Sequence, residues 1–151
     1  DLTVNNKGAF ALTGSAATSF DSIKNLNVNA EDKFSIGGSA NSLSNLNNLT
    51  VNGATADLSG VAVGTATLSS LEANVNVSGD FKLGATTAKG DIDFNIENVT
   101  ALTLGAITSS TGNASVIISS ATGDVTLGTV SAEKGNVTLN AGNALGAVTL
   151  G

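Results

Sequence analysis

The sequence predicts an all-β fold, a right-handed parallel β-helix (β-solenoid) of about six to seven coils with roughly 21–26 residues per coil. Three observations predict it: a glycine-terminated motif at nearly constant spacing, short runs of alternating apolar and polar residues, and an aromatic content of only 3%. A constant period of about 20–50 residues is typical of stacked structural units. A core built from Val, Leu, Ile and Ala is also thin, which favours a solenoid over a globular enzyme.

The first motif consists of an apolar residue, a polar residue, a second apolar residue and a glycine. Its copies are residues 34–37, 81–84, 102–105, 125–128 and 148–151, with a looser copy that ends at Gly60. The closing glycines stand at positions 37, 60, 84, 105, 128 and 151, so the steps are 23, 24, 21, 23 and 23 residues. We expect these glycines to be corners of successive coils.

A second set of apolar–polar–apolar triplets precedes the glycine motifs and predicts a further strand with one buried face. The triplets are residues 2–4, 26–28, 49–51, 75–77, 94–96 and 137–139, and residues 116–118 occupy the same place with an apolar centre. The turns that follow carry small polar residues, namely Asn29, Asn52, Ser78, Ser119 and Asn140. Because asparagine and glycine tolerate left-handed backbone, we expect that conformation at the corners.

A third, weaker segment follows the glycine turn, as at residues 106–108 and 129–131. The equivalent parts of the earlier units, residues 42–48 and 61–71, read as irregular. Residues 16–25 are expected to form a turn or two of helix.

These elements predict one β-solenoid domain over residues 1–151, with an irregular N-terminal coil (1–25) and regular coils (26–151). The chain begins at Asp1 and contains no methionine, so we expect it to be a fragment of a longer repetitive chain.

Stacked coils place side chains of the same kind above one another, because one coil cannot bury its apolar face alone. The expected inward row on one side is Leu26, Leu49, Val75 and Phe94. The expected row on another side is Ile36, Leu58, Leu83, Leu104, Leu127 and Leu150. Outward, Thr103, Thr126 and Thr149 should form a threonine row that Lys82 and Ser59 continue.

An antiparallel β-sandwich is the alternative fold, since many short strands with turn signals also fit that class. Sandwich strands do not normally repeat one motif six times at constant spacing, and hairpins favour other turn residues. The period therefore favours the solenoid.

Composition excludes several function classes. Twelve acidic residues face six lysines and no arginine, for a net charge of −6, whereas nucleic-acid binding needs positive charge. The absence of histidine and cysteine excludes a His-based catalytic triad and thiolate metal sites. No apolar run approaches the roughly 20 residues of a membrane span.

Residues 135–142, Gly-Asn-Val-Thr-Leu-Asn-Ala-Gly, resemble the repeat of filamentous-haemagglutinin-type proteins, and residues 123–128 are similar. The composition also resembles β-strand-repeat regions of bacterial S-layer proteins and autotransporter passengers. The resemblance covers roughly residues 26–151 and is closest after Val75. It implies a secreted, rod-like bacterial surface protein that works as an adhesin, a stalk or a lattice component. The repeats define no site, so no family functional residue can be carried over to this chain.

Few residues offer chemistry. Asp91 and Asp93 alternate along a strand, and paired carboxylates can cleave glycosides; solvated surface acids are the favoured interpretation, because aromatic platforms for sugars are missing. Asp80, Asp91, Asp93 and Asp124 are weak calcium candidates. Neither an EF-hand loop nor the calcium-binding nonapeptide pattern occurs, so turn capping by these aspartates is the favoured interpretation.

The leading hypothesis is a non-catalytic, secreted structural module without a cofactor, such as an adhesin stalk or S-layer-like component at the bacterial cell surface. The alternative is a self-assembling filament or lattice subunit that stacks through its open ends. The third hypothesis is a β-helix that binds or cleaves polysaccharide. The expected partners are neighbouring repeats, identical subunits or a cell-surface glycan, with no nucleic acid and no membrane span.

Overall fold

The computed structural model describes residues 1–13, 20, 22–37 and 41–151, which contain β-strands and turns and no helix. Half of the segment 16–25, for which a helical turn is expected, lies outside the described residues, and its described residues 20 and 22–25 form no helix. The strands are β1 (Leu2–Asn6), β2 (Phe10–Thr13), β3 (Asn25–Gly37), β4 (Asn41–Leu43), β5 (Asn48–Leu58), β6 (Val61–Gly64), β7 (Leu71–Val77), β8 (Phe81–Leu83), β9 (Thr86–Ala88), β10 (Ile92–Glu97), β11 (Leu102–Leu104), β12 (Ile107–Ser109), β13 (Ala114–Ile118), β14 (Val125–Leu127), β15 (Val130–Ala132), β16 (Val137–Asn140) and β17 (Val148–Leu150).

Each strand pairs in parallel with the equivalent strand of the next coil, which confirms a parallel β-solenoid of about six turns. The alternative of an antiparallel sandwich is wrong, because every described pairing between strands is parallel. The right-handed winding stays a prediction.

The strands form three faces. Face 1 consists of β1, the first halves of β3 and β5, β7, β10, β13 and β16. Face 2 consists of β2, the second halves of β3 and β5, β8, β11, β14 and β17. Face 3 consists of β4, β6, β9, β12 and β15. Because β3 and β5 run through the corner without a break, they join faces 1 and 2.

Face 1 corrects one of the predicted rows. Leu49 pairs with Ala73, and Phe94 pairs with Ala73 from the other side, so Ala73 occupies the place predicted for Val75. Val75 belongs to the neighbouring inward row, where it lies between Val51 and Ile96. The shift is two residues, and a two-residue shift keeps every side chain on the same side of a strand.

Face 2 follows the glycine motif closely. The predicted inward leucines lie in register from Leu58 to Leu150, and Ser35 pairs with Asp57, which places Ile36 beside Leu58. The outward row of Thr103, Thr126 and Thr149 is confirmed. Lys82 continues this row, but the next residue is Asp57 and not Ser59, because the copy ending at Gly60 is displaced.

Face 3 contains the third segment of each unit. The predicted segments are strands β12 and β15. The expectation of irregular structure at residues 42–48 and 61–71 is partly wrong, because β4 and β6 lie there and pair in register. At the N-terminus, β1 and β2 likewise pair in register with β3.

The core is one continuous column of apolar side chains enclosed by the three faces. Its largest members, Phe34, Phe81 and Phe94, are fully buried. Each lies beside an alanine in a neighbouring coil: Ala56 pairs with both Phe34 and Phe81, and Ala73 pairs with Phe94. The two alanines therefore leave room for the rings beside them and keep the interior filled.

The corner glycines correct a second prediction. Among the described residues, positive φ values occur only at Asn98 (56°), Gly64 (73°) and Gly53 (156°), so most corners do not need left-handed backbone. What requires glycine at Gly105 and Gly128 is close stacking. A Cβ atom added to either residue would lie 2.7–2.8 Å from backbone atoms of the preceding coil.

Two buried hydroxyl groups in face 3 differ in their hydrogen bonding. The Ser109 hydroxyl donates to the carbonyl oxygen of Gly90 (2.8 Å) and accepts from the Gly112 N–H (3.0 Å). The Thr86 hydroxyl is also buried but has no hydrogen-bond partner, and Thr86 lies between Val63 and Ile107 in an inward row.

Replacing Thr86 by valine is expected to raise the free energy of unfolding by about 1 kcal/mol, because a methyl group replaces an unpaired buried hydroxyl. Ser109→Ala is the matched control and should lower the free energy of unfolding by about 1–3 kcal/mol, because the Gly90 carbonyl and the Gly112 N–H lose the hydroxyl that they bind. Urea unfolding monitored by circular dichroism measures both. A T86V variant less stable than the parent would show that the hydroxyl contributes favourably.

Candidate functional site

The four aspartates predicted as weak calcium ligands do not come together in one cluster. Asp80 and Asp124 occupy equivalent corners immediately before β8 and β14, with Ala101 at the same corner of the coil between them. Two coil steps separate these aspartates by about 10 Å. Asp91 precedes β10, and Asp93 lies on its outer side. The part of the chain that is described contains no group of three or more potential ligands that could hold a metal ion.

Two of these aspartates bind the backbone of the next coil. The Asp91 Oδ1 atom accepts from the backbone N–H of Asn113 (2.7 Å) and from its side-chain amide (3.2 Å). The Asp124 Oδ1 atom accepts from the N–H of Ala147 (3.1 Å). Both carboxylates therefore accept hydrogen bonds from the next coil, 22 and 23 residues along the chain, so these contacts join coils and do not cap a turn within one coil.

Asp93 lies next to other acidic side chains. It pairs directly with Glu72 across the β7–β10 ladder, so two carboxylates face each other on the outer side of face 1. Partial burial raises the pKa of Asp93, and the charges of Asp91 and Glu72 raise it further. The strands of face 1 carry a third carboxylate, Glu97, and no lysine. Of the predicted pair, Asp91 therefore lies just before β10 and Asp93 on its outer side, while Phe94 is turned into the core.

Replacing Asp93 by asparagine is expected to increase stability at neutral pH, because the charged form of Asp93 is disfavoured in the folded protein. A raised pKa in the folded state means that stability is lost as pH rises from the ordinary aspartate range through the raised value. The gain should therefore disappear at about pH 3, where the group is protonated in both states. Urea unfolding of parent and variant at both pH values measures it.

Asp57 provides the matched control. Hydrogen bonds from the Ser59 hydroxyl (2.7 Å) and N–H (3.2 Å) lower the pKa of Asp57 against an opposing effect of burial, with smaller help from Lys82 and Lys33. Because the pKa of Asp57 is lowered in the folded state, its carboxylate stabilises the fold at pH values above the ordinary aspartate pKa. This stability is lost as the pH falls through the lowered pKa. Asp57→Asn should accordingly reduce stability at neutral pH. Equal changes in the free energy of unfolding for D93N and D57N at neutral pH would contradict a raised pKa at Asp93 and a lowered pKa at Asp57.

Asparagine side chains form ladders along the corners, a feature that the sequence reasoning missed. The Asn29 amide donates to Asn5 Oδ1 (2.9 Å), and the Asn52 amide donates to Asn29 Oδ1 (3.0 Å). A second ladder joins Asn48 to Asn25 (2.6 Å) and Asn25 to Asp1. The sequence signal for these ladders is the spacing of the asparagines, which equals the coil period. Stacked amides of this kind stabilise in-register parallel sheets.

A shallow polar groove lies on face 1 beside the asparagine ladder. It has a volume of about 210 Å³ and is lined by Thr50, Asn52, Asn74, Val75, Asn76, Asn95 and Glu97. The Asn95 amide donates to Asn74 Oδ1 (3.1 Å), while the Asn74 amide donates to Glu72 (2.9 Å). The groove can offer amide and carboxylate groups to a polar partner.

A larger groove of about 450 Å³ lies at the corner after β1, beside Lys7, Glu31 and the Asn5–Asn29–Asn52 ladder. It is open, and its one lysine and one glutamate are both exposed. Neither groove brings together a nucleophile, a base and an orienting group, the arrangement that nucleophilic catalysis uses.

The described residues contain no helix that could span a membrane. Comparison of the chain with protein-family models, with curated proteins and with solved structures finds no match. The parallel β-solenoid is therefore established by the strand pairing of this chain itself.

Proposed function

We propose that this chain is a non-catalytic structural module of a secreted bacterial surface protein, either a segment of an adhesin stalk or an S-layer-like component. The observation that carries the proposal is the in-register stacking of coils on three faces around one apolar column. The resemblance of residues 123–128 and 135–142 to surface-protein repeats supports the bacterial and extracellular assignment.

The module works by extension. Each turn advances the chain by about 4.8 Å, so six turns span about 29 Å. Backbone hydrogen bonds join each inner coil to the coils on both sides, and the apolar column leaves little room for bending. Length then depends on the number of coils and not on their detailed sequence.

The outer surface supplies contacts to partners. Thr103, Thr126 and Thr149 project from face 2, and the amide-lined groove lies on face 1. Uncharged polar groups in periodic rows suit weak contacts with hydroxyl-rich partners. A cell-surface glycan and neighbouring repeats of the same protein are the partners that we propose.

Antibody labelling of cells that produce the protein tests the proposal. We expect antibodies raised against residues 1–151 to label intact cells and lysed cells equally. An antibody against a cytoplasmic protein is the control and should label lysed cells alone. Labelling that appears only after lysis would contradict the surface assignment.

A further inference from the structure

The chain contains one Asn-Gly dipeptide, Asn52–Gly53, and it lies in an inner coil. Both residues belong to β5, which pairs with β3 on one side and with β7 on the other. The Asn52 side chain is on the outer surface and is exposed to water. An Asn-Gly dipeptide in a flexible chain is prone to deamidation, because glycine has no Cβ to hinder the backbone nitrogen that attacks the asparagine side chain.

Contacts between coils favour both residues of this dipeptide. Position 53 is restricted to glycine, because its φ is 156° and an added Cβ would lie 2.0 Å from the carbonyl oxygen of Ala30. Position 52 belongs to an asparagine ladder, since its side-chain amide donates to Asn29 Oδ1 (3.0 Å). The stack therefore places a chemically labile dipeptide where neither residue can be replaced without loss of a contact.

Deamidation at Asn52 needs no reagent except water. The backbone nitrogen of Gly53 loses its proton to solvent hydroxide and attacks Cγ of Asn52. The bond from Cγ to Nδ2 then breaks as Nδ2 takes a proton from water and leaves as ammonia, and a succinimide ring remains. Water adds to either ring carbonyl carbon and breaks its bond to the ring nitrogen. Opening at Cγ gives aspartate at this position, and opening at the main-chain carbonyl carbon gives isoaspartate.

The folded chain holds the two reacting groups in opposite directions along the stack. The Gly53 carbonyl accepts from the N–H of Ser78 (3.0 Å), and the N–H of Gly53 points toward the same strand, β7. The amide of Asn52 is held toward β3, on the other side, by its hydrogen bond to Asn29. The nitrogen would have to leave the ladder and the side chain would have to turn before the ring could close.

Isoaspartate at position 52 does not fit the stack. It adds one methylene carbon to the backbone, because the chain then runs through the former side chain. Val51 and Ala56 flank this position, are fully buried, and pair with equivalent residues of both neighbouring coils. An extra main-chain atom between them displaces one of the two from its row. Aspartate at position 52 leaves the backbone unchanged and loses only the amide that donates to Asn29.

We infer that Asn52 is a deamidation site whose reactivity the fold controls: the stacked coils protect it, and isoaspartate formed there in an unfolded chain prevents the coils from stacking again. A chain that stays unfolded is thereby modified irreversibly at one position. The inference goes beyond the proposed function and does not depend on it, since it concerns the covalent stability of the chain in any location.

Mass spectrometry of the full 151-residue chain, folded in one sample and unfolded in guanidinium chloride in the other, tests the inference at mildly alkaline pH. Fragmentation of the peptide that contains residue 52 measures deamidation there. We expect Asn52 to react faster than every other asparagine in the unfolded chain. In the folded chain it should react at least about tenfold more slowly, because reaction requires local opening of β5. Equal rates in the two samples, or faster reaction of another asparagine in the unfolded chain, overturn the inference.

Gly53→Ala is the matched control in guanidinium chloride, where folding has no influence on the rate. The added Cβ hinders the backbone nitrogen, so deamidation of Asn52 should slow several-fold. A variant that reacts as fast as the parent chain would show that the Gly53 nitrogen is not the attacking group, and would overturn the inference.

Refolding separates the effects of the two products. Chains deamidated in guanidinium chloride are returned to buffer, and size-exclusion chromatography separates compact from unfolded chains. We expect isoaspartate at position 52 in the unfolded fraction and aspartate at that position in the compact fraction. Asn52→Asp reproduces the aspartate product and should refold, as the control. Isoaspartate distributed equally between the two fractions would overturn the proposed block to stacking.

Discussion

Replacing Gly112 by alanine is expected to lower the free energy of unfolding by about 3 kcal/mol or more. A Cβ atom at this position would lie 2.4 Å from the backbone nitrogen of Asp91 and 2.4 Å from the carbonyl carbon of Gly90. Neither atom belongs to a side chain that could rotate away. The coils would have to separate at this corner, which would weaken the hydrogen bonds between them.

The same close approach occurs in successive coils, because glycines occupy equivalent positions at this corner. Gly90, Gly112 and Gly135 each stand two residues before a face 1 strand in successive coils. A Cβ on Gly90 would lie 1.8 Å from the Ser69 carbonyl oxygen, and one on Gly135 would lie 2.1 Å from that of Gly112. None of the three has a positive φ, so the expected cost comes from close approach and not from backbone strain.

Gly8→Ala is the matched control, since a Cβ there meets no atom within 4 Å. Its effect on unfolding should be within about 0.5 kcal/mol of zero. Chemical unfolding of both variants, followed by far-UV circular dichroism, measures the difference. Equal stabilities of G112A and G8A would refute the stacking explanation for the glycines.

Replacing Phe81 by alanine is expected to lower the free energy of unfolding by about 3–5 kcal/mol. The ring is fully buried at the centre of the stack, and its row neighbours are Ala56 on one side and Leu102 on the other. Because Ala56 is already small, no neighbouring side chain on that side can fill the space that the ring leaves. The cavity should therefore persist, and a persisting cavity accounts for the high cost of such substitutions.

Phe10→Ala is the comparison for this prediction. Phe10 lies in the same row but is only partly buried, in a coil that has a neighbour on one side. Phe10→Ala should lower the free energy of unfolding by less than about half as much as Phe81→Ala, because the Phe10 ring buries less apolar surface on folding. The same unfolding measurement applies to both variants. A Phe81 variant no less stable than the Phe10 variant would contradict the packing described for the core.

The period and the alternation were sufficient to predict the architecture. Leu83, Leu104 and Leu127 repeat with the same flanking glycine, and only a stack of parallel coils brings such residues into one row. The threonine row follows from the same register. Such repeats predict the fold because each coil repeats the same contacts with its neighbours.

Register was less predictable wherever the corners vary in length. The pattern predicts that Val75 matches Leu49, because both begin an apolar–polar–apolar triplet, but Ala73 is the residue that pairs with Leu49. Alternation has a period of two, so a shift by two residues preserves the pattern and only pairing distinguishes the alternatives. The glycine motif that ends at Gly60 is displaced along the chain, so Asp57 and not Ser59 lies next to Lys82 in the outward row.

The surroundings of the candidate calcium ligands could not be predicted from the sequence either. The spacing of Asp91 and Asp93 predicted two carboxylates on one strand, while their partners depend on other coils. Asp91 binds Asn113 of the next coil, and Asp93 faces Glu72 of the preceding one. A pairwise pattern within one coil contains no information on these contacts, which arise from residues more than 20 positions away.

For this protein the pattern of residues specifies a three-sided parallel stack, because apolar side chains at a constant period can be buried only against copies of themselves. The folded arrangement alone explains the glycines: backbone stacks on backbone at the corner of Gly112, and a local turn preference does not account for it. It also brings Leu12 and Leu150 into one row at opposite ends. Contacts between coils decide both features, and such contacts exist only once the chain has wound upon itself.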